Sequence, residues 1–259
     1  MYQTLKIESD ARGVATLWLA RSEKHNAMSA EMLDELVHAA QTLGADDTVR
    51  VVVLAAEGKT FCAGGDLAWM RAQFDMDSDT RRRESAKLSI MLQALDRLPK
   101  PVIGRVQGNA FGGGMGLMSV CDVVIAAQGL RFGFTETRLG LIPANIGPFV
   151  LRRMGAAMAR RVFMSARLFD SEEAVTLGLV AKAVQADELD QAVEDQILPY
   201  LSCAPGAVGE AKALIQALGG GVGQSDMDLA IDALANRWNT DEAQEGISAF
   251  FDKRPPQWV

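Results

Sequence analysis

Histidine, tyrosine and cysteine are scarce in this chain, at two, two and three residues among 259. His25 and His38 are the only histidines, and His38 falls within an amphipathic helical pattern where it reads as part of a solvated face. No G-x-S-x-G occurs, so Ser-His-Asp catalysis and histidine-based metal binding are both poorly supplied. Cys62, Cys121 and Cys203 are odd in number, far apart and without a C-x-x-C pair. That pattern argues against a disulfide framework or a structural zinc site, suits a reducing compartment, and leaves the thiols as packing residues. A basic excess is missing as well: 33 acidic residues against 26 basic ones give a formal charge of −7. Broad attraction to nucleic acid or an anionic membrane is thereby disfavoured. No uncharged apolar run reaches the ~18 residues of a membrane span. The opening "MYQTLKIESD" enters strand-like sequence with no leader pattern, so the expected location is cytoplasmic.

Apolar residues, by contrast, make up 49% of the chain, ample for a core burying roughly three-quarters of the unfolded surface. "TLKIES" and "VATLWLA" flank "DARG" as a hairpin. Residues 49–56, 101–108 and 121–127 are short β-branched runs, apolar on both faces in the manner of parallel strands covered by helices. Between them, "AEMLDELVHAAQTL" places Met32, Leu33, Leu36, Val37, Ala40 and Leu43 on one stripe behind Ser29 as N-cap, and "SAKLSIMLQALDRL" repeats the pattern before Pro101. Strand, strand, helix in repetition predicts an α/β fold with mostly parallel sheets. Beyond about residue 200 strand signals cease. "PGAVGEAKALIQAL" and "DMDLAIDALANRWNTDEAQEGISAFF" read as two helices joined by "GGGVGQS", giving an expected core of residues 1–200 and a helical subdomain of residues 201–259.

Glycine is the residue that carries chemistry. "EGKT" fails as a phosphate-binding loop because its first glycine would fall at Val53, and a dinucleotide fingerprint fails at Leu117. What remains is a pair of glycine-rich strand exits, "FCAGGD" (61–66) and "FGGGMG" (111–116), each opening a helix. Either alone reads as a tight turn. Facing each other, they could aim two unpaired backbone N–H groups at one developing oxyanion, as a thioester becoming an enolate requires. Asp66 reads as a helix cap or a catalytic group. Glu136, between two glycines and beside Phe132 and Phe134, reads as a surface glutamate or as a general base in dry surroundings.

With these motifs in order, the chain resembles the crotonase superfamily of enoyl-CoA hydratases and isomerases over essentially its whole length. "RSEKHNAMS", "FCAGGDLAWM", "GNAFGGGMGLMSVCD", "FGFTETRLGLIP" and "FFDKRPPQW" carry the likeness. The resemblance implies a crotonase-like spiral of ββα units with two roughly perpendicular sheets and a carboxy-terminal helical trimerisation segment, as a homotrimer or dimer of trimers. It further implies an oxyanion hole from the N–H groups of Gly65 and Gly113, with glycine at 113 kept clear for the thioester oxygen. Coenzyme A would enter as part of an acyl-CoA thioester substrate, held near Lys24 and Ala63 and by Lys253 of a neighbour, with no metal or redox cofactor. Many hydratases of the family hold water between two glutamates. Here the first of these positions is Gly116, where a side chain could point into the space the loop encloses, and Glu136 alone remains. With "GLIPANIGPFVLRRMG", this resembles bacterial 3-methylglutaconyl-CoA and isohexenylglutaconyl-CoA hydratases. The expectation is therefore an enoyl-CoA hydratase acting on 3-methylglutaconyl-CoA in leucine degradation. A single-glutamate isomerase or decarboxylase, and a non-catalytic CoA-binding or RNA-associated scaffold, stand as alternatives.

Overall fold

A computed structural model describes residues 2–74 and 76–259. The chain opens with the antiparallel hairpin β1 (Leu5–Ser9) and β2 (Val14–Leu19), then helix α1 (Ala30–Ala45). Ser29 caps α1, its side chain accepting from the Met32 N–H, and Met32, Leu33, Leu36, Ala40 and Leu43 are buried as the stripe predicts. Val37 is only partly buried, and Ala39 is buried with the stripe.

The repeating unit follows. β3 (Val51–Ala56) and β4 (Thr60–Cys62) lead to α2 (Leu67–Phe74) and α3 (Ser78–Asp96). β5 (Val102–Val106) and β6 (Asn109–Phe111) lead to α4 (Gly113–Val120). β7 (Val123–Ala127) and β8 (Arg131–Gly133) lead, through a 3₁₀ turn at Glu136–Leu139, to α5 (Gly147–Ala159). In each unit the first strand joins a six-stranded sheet in which β1, β2, β3, β5 and β7 lie side by side in that order, with β10 (Lys182–Val184) at the far edge, and the second joins a four-stranded sheet in the order β4, β6, β8 and then β9 (Phe169–Asp170). Between β9 and β10 runs α6 (Ser171–Thr176). Pairings are parallel except at β1-β2 and β8-β9.

The period of two in a strand explains why β3 is apolar throughout. Val52, Leu54 and Ala56 enter the main core, whereas Val51, Val53 and Ala55 face a second cluster roofed by Leu189, Val193 and Ile197 of α7 (Leu189–Leu201).

The carboxy-terminal region is three helices rather than two: α8 (Pro205–Leu218), α9 (Gln224–Trp238) and α10 (Asp241–Phe251). The run read as one helix breaks at Asn239, because Thr240 turns extended and its hydroxyl caps α10 through the Ala243 N–H. Leu141, Trp238, Ala243 and Ile247 form a small core that fastens this region beside the 3₁₀ turn. No helix among the described residues is long and apolar enough to cross a membrane.

Candidate active site

The two glycine-rich strand exits meet. Gly64 has φ +99° and Gly112 has φ +49°, a region that L side chains avoid, and a Cβ on Gly64 would lie 3.2 Å from the Phe111 carbonyl and 3.9 Å from Gly112 Cα. What comes close to each loop's backbone is thus the other loop. Gly113, at the first position of α4, is confined differently from the sequence expectation: a Cβ there would fall 1.9 Å from Met28 Cε, so the Met28 thioether rather than open ligand space occupies that direction. Among the described residues, neither the Gly65 N–H nor the Gly113 N–H has an acceptor within the protein. Both residues line one cavity of about 580 Å³ together with Met28, Ala63, Trp69, Phe111 and Glu136. Its carboxy-terminal wall is Leu234, Trp238 and Phe250, so α9 and α10 close over their own chain's cavity.

Glu136 enters from the start of the 3₁₀ turn. The residue as a whole is half-buried, yet its Oε2 is enclosed and without a hydrogen-bond partner. Burial pushes its carboxyl up to about 7, against a small opposing pull from its own backbone N–H. Phe132 and Phe134 do not dry the site directly as expected. They turn into the core against Phe169 and Phe163, and the cavity's apolar lining includes Phe111, Leu139, Leu141, Ile142 and Trp238 instead.

Gly116 does not face the cavity. It is buried within α4, where a Cβ would meet Ile146 Cγ2 at 2.7 Å and Leu92 Cδ1 at 3.0 Å. The expectation that a side chain at 116 would project into free space is therefore corrected: Ile146, which itself lines the cavity, fills that direction.

Asp66 caps α2, with Oδ1 accepting from the N–H groups of Ala68 and Trp69 and Oδ2 bound by Arg21 at 2.7 Å. Burial alone would raise this carboxyl, but Arg21 and the two N–H donors outweigh it and hold it below the usual range. Burial pushes the Cys62 and Cys121 thiols up to about 12, so neither supplies a thiolate.

Of the expected CoA contacts, Ala63 lines the cavity and its N–H donates to the His25 carbonyl, which ties it to the turn carrying Lys24. Lys24 and Lys253 are exposed, and neither lines this chain's cavity. Of the lining residues that the sequence reading did not single out, two bear on the chemistry. Arg138, two positions after Glu136, is the one cationic side chain on the lining and takes part in no ion pair among the described residues. Asn145 is 5% exposed and bonded to Ser85 of α3. Arg138 lacked a signal because cations two residues from an acid are ordinary. Asn145 had one, since it lies in "GLIPANIGPFVLRRMG", the stretch that carries the likeness to glutaconyl-type hydratases.

The chain matches known proteins over nearly its whole length. Residues 9–259 match the family described as enoyl-CoA hydratase/isomerase. A crystal structure of an enoyl-CoA hydratase from Shewanella pealeana superposes with a TM-score of 0.81 at 37% identity, covering 100% of this chain and 97% of that one. The mitochondrial methylglutaconyl-CoA hydratase of Rattus norvegicus is 31% identical over 97% of this chain and 81% of its own length. The crotonyl-CoA hydratase of Syntrophomonas wolfei is 32% identical over 100% of this chain and 98% of its own.

Proposed function

The chain belongs to the enoyl-CoA hydratase/isomerase family, and we propose that it hydrates the double bond of a glutaconyl-type acyl-CoA, with 3-methylglutaconyl-CoA as the favoured substrate. The observation that carries the hydration reading is a buried, unpartnered carboxylate oxygen of Glu136 sharing one cavity with two free N–H groups, those of Gly65 and Gly113. Gly65 and Gly113 donate to the thioester oxygen, and the amino-terminal end of α4 adds its positive field. As water adds at C3, negative charge gathers on that oxygen, and the bonds from both donors strengthen. Glu136, with its carboxyl poised at about 7, takes the proton from the water. Protonation at C2 then restores the thioester carbonyl.

The choice of a diacid substrate rests on Arg138, whose guanidinium can meet a distal carboxylate from the cavity wall. The relatives named above do not separate the substrates, since a methylglutaconyl and a crotonyl enzyme are similar to this chain at 31% and 32%. CoA itself would lie along Ala63 with Lys24 near its phosphates and Lys253 reaching from a neighbouring copy in a trimer. The exposed Leu214, Ile215 and Leu218 of α8 support that trimer reading.

The single carboxylate also favours a second reading, double-bond migration in a 3-enoyl-CoA, which needs Glu136 and the oxyanion donors but no added water. The test is loss of enoyl-thioester absorbance with 3-methylglutaconyl-CoA and crotonyl-CoA, run beside a migration assay. Faster hydration of the diacid that falls towards the crotonyl rate in Arg138→Leu supports the proposal. Migration without hydration of either thioester replaces it with the isomerase.

A further inference from the structure

Three buried side-chain atoms among the described residues find no hydrogen-bond partner: Gln107 Oε1, Glu136 Oε2 and Asn145 Oδ1. The last two belong to residues lining the same cavity. A buried acceptor left without a donor costs roughly 1–3 kcal/mol, so two of them on residues around one cavity call for a donor that enters with the reaction.

The orientation of the Asn145 amide is fixed by its surroundings. Its Nδ2 lies 2.8 Å from the Ser85 carbonyl oxygen and 2.7 Å from Ser85 Oγ. A carbonyl can only accept, so the nitrogen faces Ser85 and the free atom is the oxygen. Ser89, one turn further along α3, donates its hydroxyl to the Asn145 backbone carbonyl at 3.2 Å. Side chain and main chain are thus both gripped by one face of α3. Next in sequence, Ile146 fills the direction in which a side chain at position 116 would project. The segment that closes off a second carboxylate therefore delivers an amide oxygen one residue earlier.

We propose that Asn145 Oδ1 and Glu136 Oε2 together hold the water that adds to the enoyl thioester, the amide standing in for a carboxylate at position 116. This rests on the hydratase reading above. The water gives one O–H to each acceptor. Its oxygen forms the bond to C3 while the C2=C3 electron pair moves towards C1, leaving an enolate whose oxygen is held by the Gly65 and Gly113 N–H groups. The proton facing Glu136 passes to the carboxylate, and the other hydrogen stays on the new hydroxyl, still bonded to Asn145. Glu136 then returns its proton to C2. An amide oxygen accepts hydrogen bonds without accepting the proton, so Asn145 orients the water and Glu136 alone moves protons.

The test separates water holding from framework. In Asn145→Ala, kcat for hydration should fall about 10- to 100-fold. Two water-independent properties should stay within about twofold of wild type: Glu136-dependent exchange of C2 protons of a saturated acyl-CoA in D₂O, and its affinity by calorimetry. Asn145→Asp keeps an acceptor of the same shape and should hydrate at least about tenfold faster than Asn145→Ala. Should Asn145→Ala fail to fold, Asn145→Leu, which keeps the volume and offers no acceptor, takes its place. Unchanged hydration, a parallel loss of hydration, exchange and affinity, or a folded Asn145→Asp no faster than Asn145→Ala would each overturn the proposal. Exchange without hydration in the wild-type protein would instead overturn the hydratase reading, and this proposal with it.

Discussion

Two cavities of similar size differ in how their polar groups are satisfied. One, of about 620 Å³, lies between α5 and α8 and is lined by Asp96, Asp122, Arg152, Arg153 and Lys212. Every one of these charges has a partner: Arg152 binds Asp96, Lys212 binds Asp122 at 2.8 Å, and Arg153 donates to the Cys121 and Asp122 carbonyls. The other, of about 580 Å³, holds only Glu136 and Arg138 as charges among the described residues and leaves an oxygen of Glu136, the Asn145 amide oxygen and the N–H groups of Gly65 and Gly113 unpaired. Volume does not tell them apart. Unspent hydrogen-bonding capacity does, because several unpaired donors and acceptors gathered around one cavity mark a place that a ligand can complete.

The sharpest way to break that comparison is at the carboxylate. Glu136→Gln keeps the shape and removes the base, and should lower kcat for hydration by about 10²–10⁴-fold. Full activity in a folded Glu136→Gln protein would remove the basis for preferring this cavity. Next in size is the oxyanion hole. Gly113→Pro deletes the N–H at the first position of α4, where proline suits a helix, so the fold should survive while kcat drops by about 10². Gly113→Ala keeps the N–H and collides only with the terminal methyl of Met28, at the far end of an unbranched side chain, so its loss should be clearly smaller. Equal losses in the two variants would assign the effect to packing rather than to the donor.

A third measurement uses pH. With the Glu136 carboxyl at about 7 in the folded chain and near 4.5 when unfolded, the native state binds the extra proton between those values. Stability therefore falls as pH rises from about 4.5 to about 7 and is level above, by an amount of the order of a few kcal/mol. kcat/KM should rise through pH about 7 as the base ionises. Glu136→Gln should then be more stable than wild type at pH 8 and no more stable at pH 4, as read from urea unfolding at each pH. Equal stability of the two proteins at pH 8 would mean that the carboxyl is not held in a dry site.

Much of this was legible in the sequence, for reasons tied to particular residues. Period-two and period-3.6 patterns in Val51–Ala56 and Ala30–Ala45 mark their elements because burial alone selects them. The crotonase resemblance supplied the order of the spiral. The pairing of "FCAGGD" with "FGGGMG" was legible because positive φ is demanded of few residues besides glycine. Hidden from the sequence were facts of long-range packing: that Ile146 fills the direction beyond Gly116, that Ser85 fixes the Asn145 amide, and that Phe132 and Phe134 turn away from Glu136. The break at Thr240 was missed for a local reason, since a capping hydroxyl beat an uninterrupted apolar period.

The smallest expected effect tests the satisfied cavity. Lys212 is anchored there by Asp122 and by the Lys100 carbonyl at 3.1 Å, and its side chain is 10% exposed. Lys212→Met keeps the buried stem and removes the charge. Asp122 Oδ2 still accepts from the Val102 N–H at 2.7 Å and its side chain is 31% exposed, so the abandoned carboxylate is partly solvated rather than stranded. The loss should accordingly be about 1–2 kcal/mol of unfolding free energy, below the 3–5 typical of breaking a fully buried pair. Because the charges in that cavity already pair with one another or with backbone carbonyls, kcat and KM for the thioester should stay within about twofold of wild type. A Lys212→Met protein that is stable but as slow as Glu136→Gln would give the second cavity a share in the chemistry that its completed pairings deny it.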